Sequence, residues 1–442
     1  MKKLAVVSLG CDKNRVDTEK MLGVLSHGSF VMASENEAQV IIINTCAFID
    51  SAKKEAIDTI LAMAEYKKKG VGVCELLLVT GCLSQKYRNE LKSELSEVDA
   101  FLGVDDYVRT LEIVQELYKQ KGETVEECIA LPPDAPVRIL TTPAHYAYLK
   151  ISDGCDNLCS YCTIPSIRGC YKSEKIEDLV KEASYLVGLG VKEIILVAQD
   201  VSNYGVDLYG KRKLVELIKE LSKTDVEWIR LMYCYIENID DALIKEISTN
   251  EKVVKYLDMP LQHISDKILK SMNRRGDSKL IKGAIDRLRK EIPGIALRTT
   301  FMVGFPDEQE EDFVELAGFL QEYKFTHAGF FAFSPQDGTA AAGLPNQIKS
   351  TVSKKREKAL AVVQKENVKE FNSGMIGKRV KVLYEGIDFE KNLFYGRGHF
   401  SAPEIDTLVY FKADISLDVG NFYEVEIKGL RGYDLVGKVV DS

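Results

Sequence analysis

Histidine is scarce in this sequence: five residues (His27, His145, His263, His327 and His399) among 442. No second CxxC pair accompanies its one dense run of cysteines. Structural zinc sites are built from such pairs, so zinc finds few ligands here. No apolar stretch approaches the ~18 residues that suggest a membrane span. The apolar start, Met1-Lys2-Lys3-Leu4-Ala5-Val6-Val7, runs into Cys11-Asp12-Lys13-Asn14-Arg15 without a small-residue cleavage pattern. No export signal is expected, and the expected location is cytoplasmic. Positive charge is not in excess either: 59 Lys and Arg stand against 67 Asp and Glu, for a net charge of −8. That balance disfavours strong general nucleic-acid binding and suits a basic partner. In a large chain of cytosolic character, the ten cysteines point to metal or catalytic use over disulfides.

What the sequence does contain is a CxxxCxxC run, Cys155-Asp156-Asn157-Leu158-Cys159-Ser160-Tyr161-Cys162, following the apolar stretch Tyr146-Ala147-Tyr148-Leu149-Lys150-Ile151. Three thiolates on a short loop can hold three irons of a [4Fe–4S] cluster. The fourth iron, without a protein ligand, is open to a substrate, unlike the four-cysteine clusters that only carry electrons. Zinc is the main alternative for the run, and a disulfide would leave one thiol odd.

Residues 1–120 alternate β-rich runs with amphipathic helices, which predicts a parallel α/β domain with a sheet covered on both faces. Strands are expected at 4–9, 40–44 and 76–80, followed by Gly10-Cys11, Thr45-Cys46 and Gly81-Cys82. Parallel strand ends share one edge, where ligands bind. Cys11, Cys46 and Cys82 are therefore expected to converge as a second three-thiolate site. One cysteine at a strand end is ordinarily a small core residue; its recurrence at three equivalent ends is the signal. Residues 121–143, with Glu126-Glu127, Pro132-Pro133, Pro136 and Pro143, read as a linker with an edge strand.

Residues 144–372 repeat a strand–helix unit six times, with strands expected at 146–152, 193–198, 228–234, 255–259, 296–303 and 327–333. Six units are too few for a closed eight-stranded barrel. An open, TIM-like partial barrel is expected, with its cavity at the C-terminal strand ends and the CxxxCxxC loop at the mouth. A long helix with an exposed face is predicted over about 350–372. In 373–442, alternation with glycine turns predicts a small antiparallel β-barrel of TRAM or OB type. Over 374–442, nine Lys and Arg stand against eleven Asp and Glu, which favours a protein partner over nucleic acid.

A CxxxCxxC loop after the first strand of a six-unit partial barrel resembles the radical S-adenosylmethionine (SAM) enzymes. Together with the N-terminal three-cysteine domain and a TRAM-like last domain, it makes the chain similar over essentially its whole length to the methylthiotransferases. Ser8-Leu9-Gly10-Cys11-Asp12-Lys13-Asn14-Arg15-Val16-Asp17-Thr18-Glu19 resembles the RimO branch. The tRNA-modifying, MiaB-like branch typically has Gln-Met where this chain has Asp12-Lys13. Asp153-Gly154-Cys155-Asp156-Asn157, Ala198-Gln199-Asp200, Tyr204-Gly205 and Asp207-Leu208-Tyr209-Gly210 point the same way. The chain departs from the family at Asp307, usually glycine, and at Lys172 and Glu174, usually arginine.

The resemblance implies a transferase that adds a methylthio group to the β-carbon of one aspartate in the twelfth protein of the small ribosomal subunit, a very basic protein. It implies two SAM molecules, one methylating the donated sulfur and one making the radical. It also implies two [4Fe–4S] clusters, one on Cys155, Cys159 and Cys162 and one on Cys11, Cys46 and Cys82. No catalytic side chain beyond these ligands is expected. The target C–H bond is unactivated, so a cofactor must carry the radical. SAM contacts fall to Tyr161, Gln199, Asp200, Gly304 and Phe305. Plain alternatives stand beside these: a core aromatic for Tyr161 and helix capping for Asp200. Arg298 and His263 read as structural, Cys234 in the third strand as a packing residue, Cys74 and Cys128 as residues of connecting segments, and Cys170, just beyond the cluster loop, as without a cluster role. An electron donor and a sulfur donor are implied without being identified. The rival readings are a tRNA adenosine as substrate and a non-enzymatic iron–sulfur carrier.

Overall fold

Five parallel strands form the first sheet, in the order Phe30–Met32, Lys2–Ser8, Val40–Thr45, Leu76–Gly81, Ala100–Phe101. Every residue of Val40–Thr45 and Leu76–Gly81 is buried, as continuous apolar runs covered on both faces require. The pairing aligns Ser8 with Asn44 and Asn44 with Thr80, so the three central strands end level with one another. The sequence pattern did not predict the two outer strands. With three and two residues they are too short for a two-residue alternation to show.

The computed structural model describes residues 1–125 and 138–440. Its contacts divide them into two units: Met1–Thr141 with Gly154–Asp156 and Thr163–Cys170, and the remainder through the C-terminal barrel. Of the 121–143 linker, residues 126–137, with Glu126, Glu127, Pro132, Pro133 and Pro136, lie outside the described residues. Its described residues contain no strand.

In the second unit, six parallel strands stand in chain order: Tyr146–Lys150, Glu193–Val197, Trp228–Leu231, Val253–Gln262, Ala296–Val303 and His327–Ala332. The first and last are edges, so the sheet is open, as six units predict. Several expected boundaries shift: the first strand ends at Lys150 and not at 152, and the fourth runs Val253–Gln262 in place of 255–259. The third strand stops at Leu231, so Cys234 lies beyond its end and not within it. The second stops at Val197, two residues before Gln199. The helix Ser350–Ser373 follows.

The last five strands close into a barrel in the order Arg379–Asp388, Leu393–Gly398, Val409–Lys412, Asp434–Val439, Phe422–Arg431. Its pairing is antiparallel except between Val409–Lys412 and Asp434–Val439. A closed ring with an odd number of strands cannot alternate direction throughout, so one parallel pair is unavoidable. This barrel is tied to the six-stranded sheet by buried charge. Glu193 accepts from Arg230 at 2.6 Å and from Arg397 at 2.6 Å, and all three side chains are fully buried. Among the described residues, no helix is long and apolar enough to cross a membrane.

Candidate metal and cofactor centres

Cys11 precedes the helix Asp12–Leu25, Cys46 directly follows Thr45 at its strand end, and Cys82 opens the helix Cys82–Lys86. Two of the turns need glycine. Gly10 and Gly81 have φ of +97° and +92°, a region that costs L-residues about 1–2 kcal/mol. A Cβ on Gly10 would stand 2.8 Å from Cys46 Cβ and 3.3 Å from its Sγ, so the Cys11 turn and Cys46 are in close contact. Asn14, almost fully buried, braces the group. Its Nδ2 donates to the carbonyls of Leu9 at 3.1 Å and Thr45 at 3.0 Å, and its Oδ1 lies 3.8 Å from Cys82 Sγ.

The three N-terminal cysteines are thus brought together on one sheet edge. Burial raises the Cys46 thiol and pushes the Cys82 thiol up to about 12. Arg168, in the helix Ile164–Arg168 of the same unit, pulls both down again. Among the described residues, no group of three or more His, Cys, Asp or Glu is placed to hold a single metal ion. Three separate thiols around a shared edge suit a four-iron cluster, in which each iron takes its own thiolate.

Within the CxxxCxxC run, Cys155 is buried, and its N–H donates to the Gly169 carbonyl at 3.2 Å inside the N-terminal unit. Cys159 and Cys162 belong to the second unit. The Cys162 N–H donates to the Cys159 carbonyl at 3.0 Å, and Cys159 Sγ lies 3.8 Å from the Tyr235 hydroxyl. Arg274, buried, stacks its guanidinium 4.2 Å from the centre of the Tyr235 ring and donates to the Pro260 carbonyl at 2.6 Å. It places a fixed positive charge on the Cys159 side of the loop. Ser160 anchors that side: its N–H donates to Met272 O at 3.0 Å and its hydroxyl to Ser271 O at 2.9 Å.

Tyr161 meets Phe305 edge-on at 6.5 Å and packs with Ile268 and Met272. Burial and the neighbouring Cys159 hold its phenol well above the ordinary range. Gln199 donates from Nε2 to Asp153 Oδ1 at 3.2 Å, while its buried Oε1 has no hydrogen-bond partner. Asp200 accepts from Ser202 at 2.5 Å, Asn157 at 3.0 Å and Asn238 at 3.4 Å. Burial raises its carboxyl, and the Ser202 and Asn157 donors oppose the rise. Asp200 thereby clamps the middle of the cysteine loop, at Asn157, to the end of the second strand.

Gly304 and Phe305 both donate their N–H groups to the Glu308 carboxylate, at 2.5 and 3.2 Å. A Cβ on Gly304 would fall 1.9 Å from Ser353 Oγ, so the close neighbour of this glycine is the helix Ser350–Ser373. Asp307 has a φ of +67°, at the position where the resembling family has glycine. Aspartate is among the few residues that visit this region. Arg298 is paired with Asp258 at 2.9 Å and Asp406 at 3.4 Å, a structural role. His263 is fully buried, and its Nδ1 accepts from the Ser265 N–H at 3.0 Å. Cys74 and Cys234 are buried and Cys170 is exposed; Cys128 lies outside the described residues. Sequence reasoning missed Asn14 as a brace, and it missed Arg168 and Arg274. No spacing rule links Arg168 to Asn14, 154 positions apart.

Models of three families match the chain: Uncharacterized protein family UPF0004 over residues 3–103, the Radical SAM superfamily over 149–320, and the TRAM domain over 376–440. A protein of Acetivibrio thermocellus, named ribosomal protein uS12 methylthiotransferase RimO, is 49% identical over 451 residues, covering 100% of this chain and 99% of its own. A protein of the same name from a Thermoanaerobacter species is 46% identical over 443 residues, covering 99% of this chain and 100% of its own. Among solved structures, the radical S-adenosylmethionine methyltransferase TsrM from Kitasatospora setae, with cobalamin and a [4Fe–4S] cluster bound, superposes with a TM-score of 0.55. It does so at 12% identity over 77% of each chain, a likeness of fold alone. With full-length relatives this similar, the chain belongs to the radical SAM methylthiotransferase family, in its RimO branch.

Proposed function

We propose that this protein transfers a methylthio group to the β-carbon of an aspartate in ribosomal protein uS12, using two SAM molecules and two [4Fe–4S] clusters. The observation that carries the two-cluster reading is the level ending of three parallel strands, which gathers Cys11, Cys46 and Cys82 in a chain that also carries CxxxCxxC. The uS12 substrate rests on relatives of that name, 49% and 46% identical over their full lengths. Our division of the chain places the cluster-bearing N-terminal domain at 1–120, the linker at 121–143, the radical SAM partial barrel at 144–372 and the substrate-binding barrel at 373–442.

When bound, the clusters would supply the electron that splits SAM into methionine and a radical, and an open iron at which the sulfur to be donated is held. The chain's own residues bind and orient. Cys155, Cys159 and Cys162 hold three irons and leave the fourth for SAM. The buried, unpartnered Oε1 of Gln199 is an acceptor suited to the SAM amino group. Asp200 holds the cysteine loop in place through Asn157. Tyr161, whose ring meets Phe305 edge-on, is suited to pack near the adenine.

Iron and acid-labile sulfide, measured on anaerobically reconstituted chain, test this reading. About eight irons should fall to about four in a Cys11→Ala/Cys46→Ala/Cys82→Ala variant. With SAM and a reductant, uS12 should gain the mass of one SCH₂ unit on its aspartate. A gain on tRNA adenosine instead would move the chain's substrate to the other branch. Four irons in both proteins, or no SAM cleavage, would overturn the assignment.

A further inference from the structure

The N-terminal cysteine site has a counter-charge that none of its strands supplies. The Arg168 side chain is 2% exposed. From one nitrogen it donates to Asn14 Oδ1 at 2.8 Å and to Asp17 Oδ2 at 2.9 Å. Asn14 Oδ1 is the atom that faces Cys82 Sγ at 3.8 Å, so guanidinium, amide and thiol share one junction. Resting on the two-cluster reading above, we propose that Arg168 is a positioning and charge-setting residue for the auxiliary cluster. Asn14 fixes the spacing of the three cysteines, Arg168 holds Asn14 and sets the reduction potential, and Asp17 moderates the charge of Arg168.

The sign follows from charge. A [4Fe–4S]²⁺ core with three thiolates carries about one net negative charge, and one added electron makes it about two. A buried cation beside the thiolates favours the more negative, reduced state and raises the potential. Low dielectric around a nearly fully buried guanidinium magnifies the effect. Asp17, paired with the same guanidinium nitrogen, opposes it. Replacing Arg168 and replacing Asp17 must therefore shift the potential in opposite directions, an outcome that loosened packing alone would not produce.

The experiment uses the full chain with Cys155→Ala, Cys159→Ala and Cys162→Ala, so that only the N-terminal site can be loaded. After anaerobic reconstitution, the reduced cluster is followed by electron paramagnetic resonance during a dithionite titration. Arg168→Gln should lower the reduction equilibrium by tenfold or more, about 59 mV for one electron. Arg168→Lys should recover most of that shift, and Asp17→Asn should move the midpoint upward. Asp17→Asn keeps both Arg168 and Asn14 and carries the test alone if Arg168→Gln fails to load. Loaded variants with unchanged midpoints, or a downward shift for Asp17→Asn, would overturn the role of Arg168 and leave the two-cluster reading intact. A background protein that takes up no iron–sulfur cluster would overturn both.

Discussion

Gly81 shows how a single residue fixes a site made of others. A Cβ there would lie 2.3 Å from Asn44 Oδ1, 2.4 Å from the Thr45 carbonyl and 2.7 Å from the Thr45 nitrogen, two of them rigid backbone atoms. Its φ of +92° adds its own cost for any side chain. Gly81→Ala should destabilise the N-terminal unit by about 2–4 kcal/mol and displace Cys82 and Cys46 from their shared edge. Gly122→Ala is the control: φ there is +78° with nothing within 4 Å of the added carbon, so only the backbone cost remains. Urea midpoints give the first effect, and iron per chain gives the second. Gly81→Ala should lose the iron of one cluster while Gly122→Ala keeps it. The glycines before Cys11 and Cys82 were visible in the sequence as punctuation at strand ends. Their clashing neighbours were not, because Asn44 comes close to Gly81 only through the pairing of two strands.

Buried charge joins the elements of the second unit. Glu193, first residue of its strand, is shared by Arg230 from the next strand and Arg397 from the C-terminal barrel, at 2.6 Å each. Arg397 also pairs with Glu385 at 2.8 Å, and Arg230 donates to the His399 carbonyl at 2.8 Å. Burial would raise the Glu193 carboxyl, but the two guanidiniums prevail and hold it below the ordinary range. Glu193→Gln leaves two buried cations short of their shared anion and should cost about 3–5 kcal/mol. Urea unfolding at neutral pH checks this; a change under 1 kcal/mol would mean that water reaches the pair. The strands were legible because short apolar runs, as in Val40–Thr45 and Leu76–Gly81, leave a local pattern. The ion pairs were not: Glu193 and Arg397 are 204 positions apart, and a charged residue in a strand does not announce its partner. The same reason separates the cysteines, readable from spacing and strand ends, from Arg168 and Arg274, which reach their sites only through the fold.

At the scale of the whole molecule, buried histidine makes stability depend on pH. His263 is fully buried, its Nε2 has no hydrogen-bond partner, and the Glu308 carboxylate is no nearer than 4.0 Å. Burial lowers its pKa from 6.5 to about 4; Arg356 and Lys267 push the same way, and Asp312 opposes them. His399 is lowered to about 4 as well, chiefly by burial, and His327 is lowered for the same main reason. A histidine with a depressed folded pKa binds its proton more readily in the unfolded chain. Its contribution is therefore complete above pH 6.5 and is lost as the pH falls toward 4. For His263 alone the loss at pH 5 is about 2 kcal/mol. Asp200, Asp258 and Glu308, whose carboxyls burial raises, act in the opposite sense and blunt the loss toward the acid end. The chain should therefore be less stable at pH 5 than at pH 8. His263→Gln, which cannot take up the proton, should shrink that difference by about 2 kcal/mol when urea midpoints are compared at the two pH values. An unchanged difference would mean that His263 titrates normally and that its surroundings admit water.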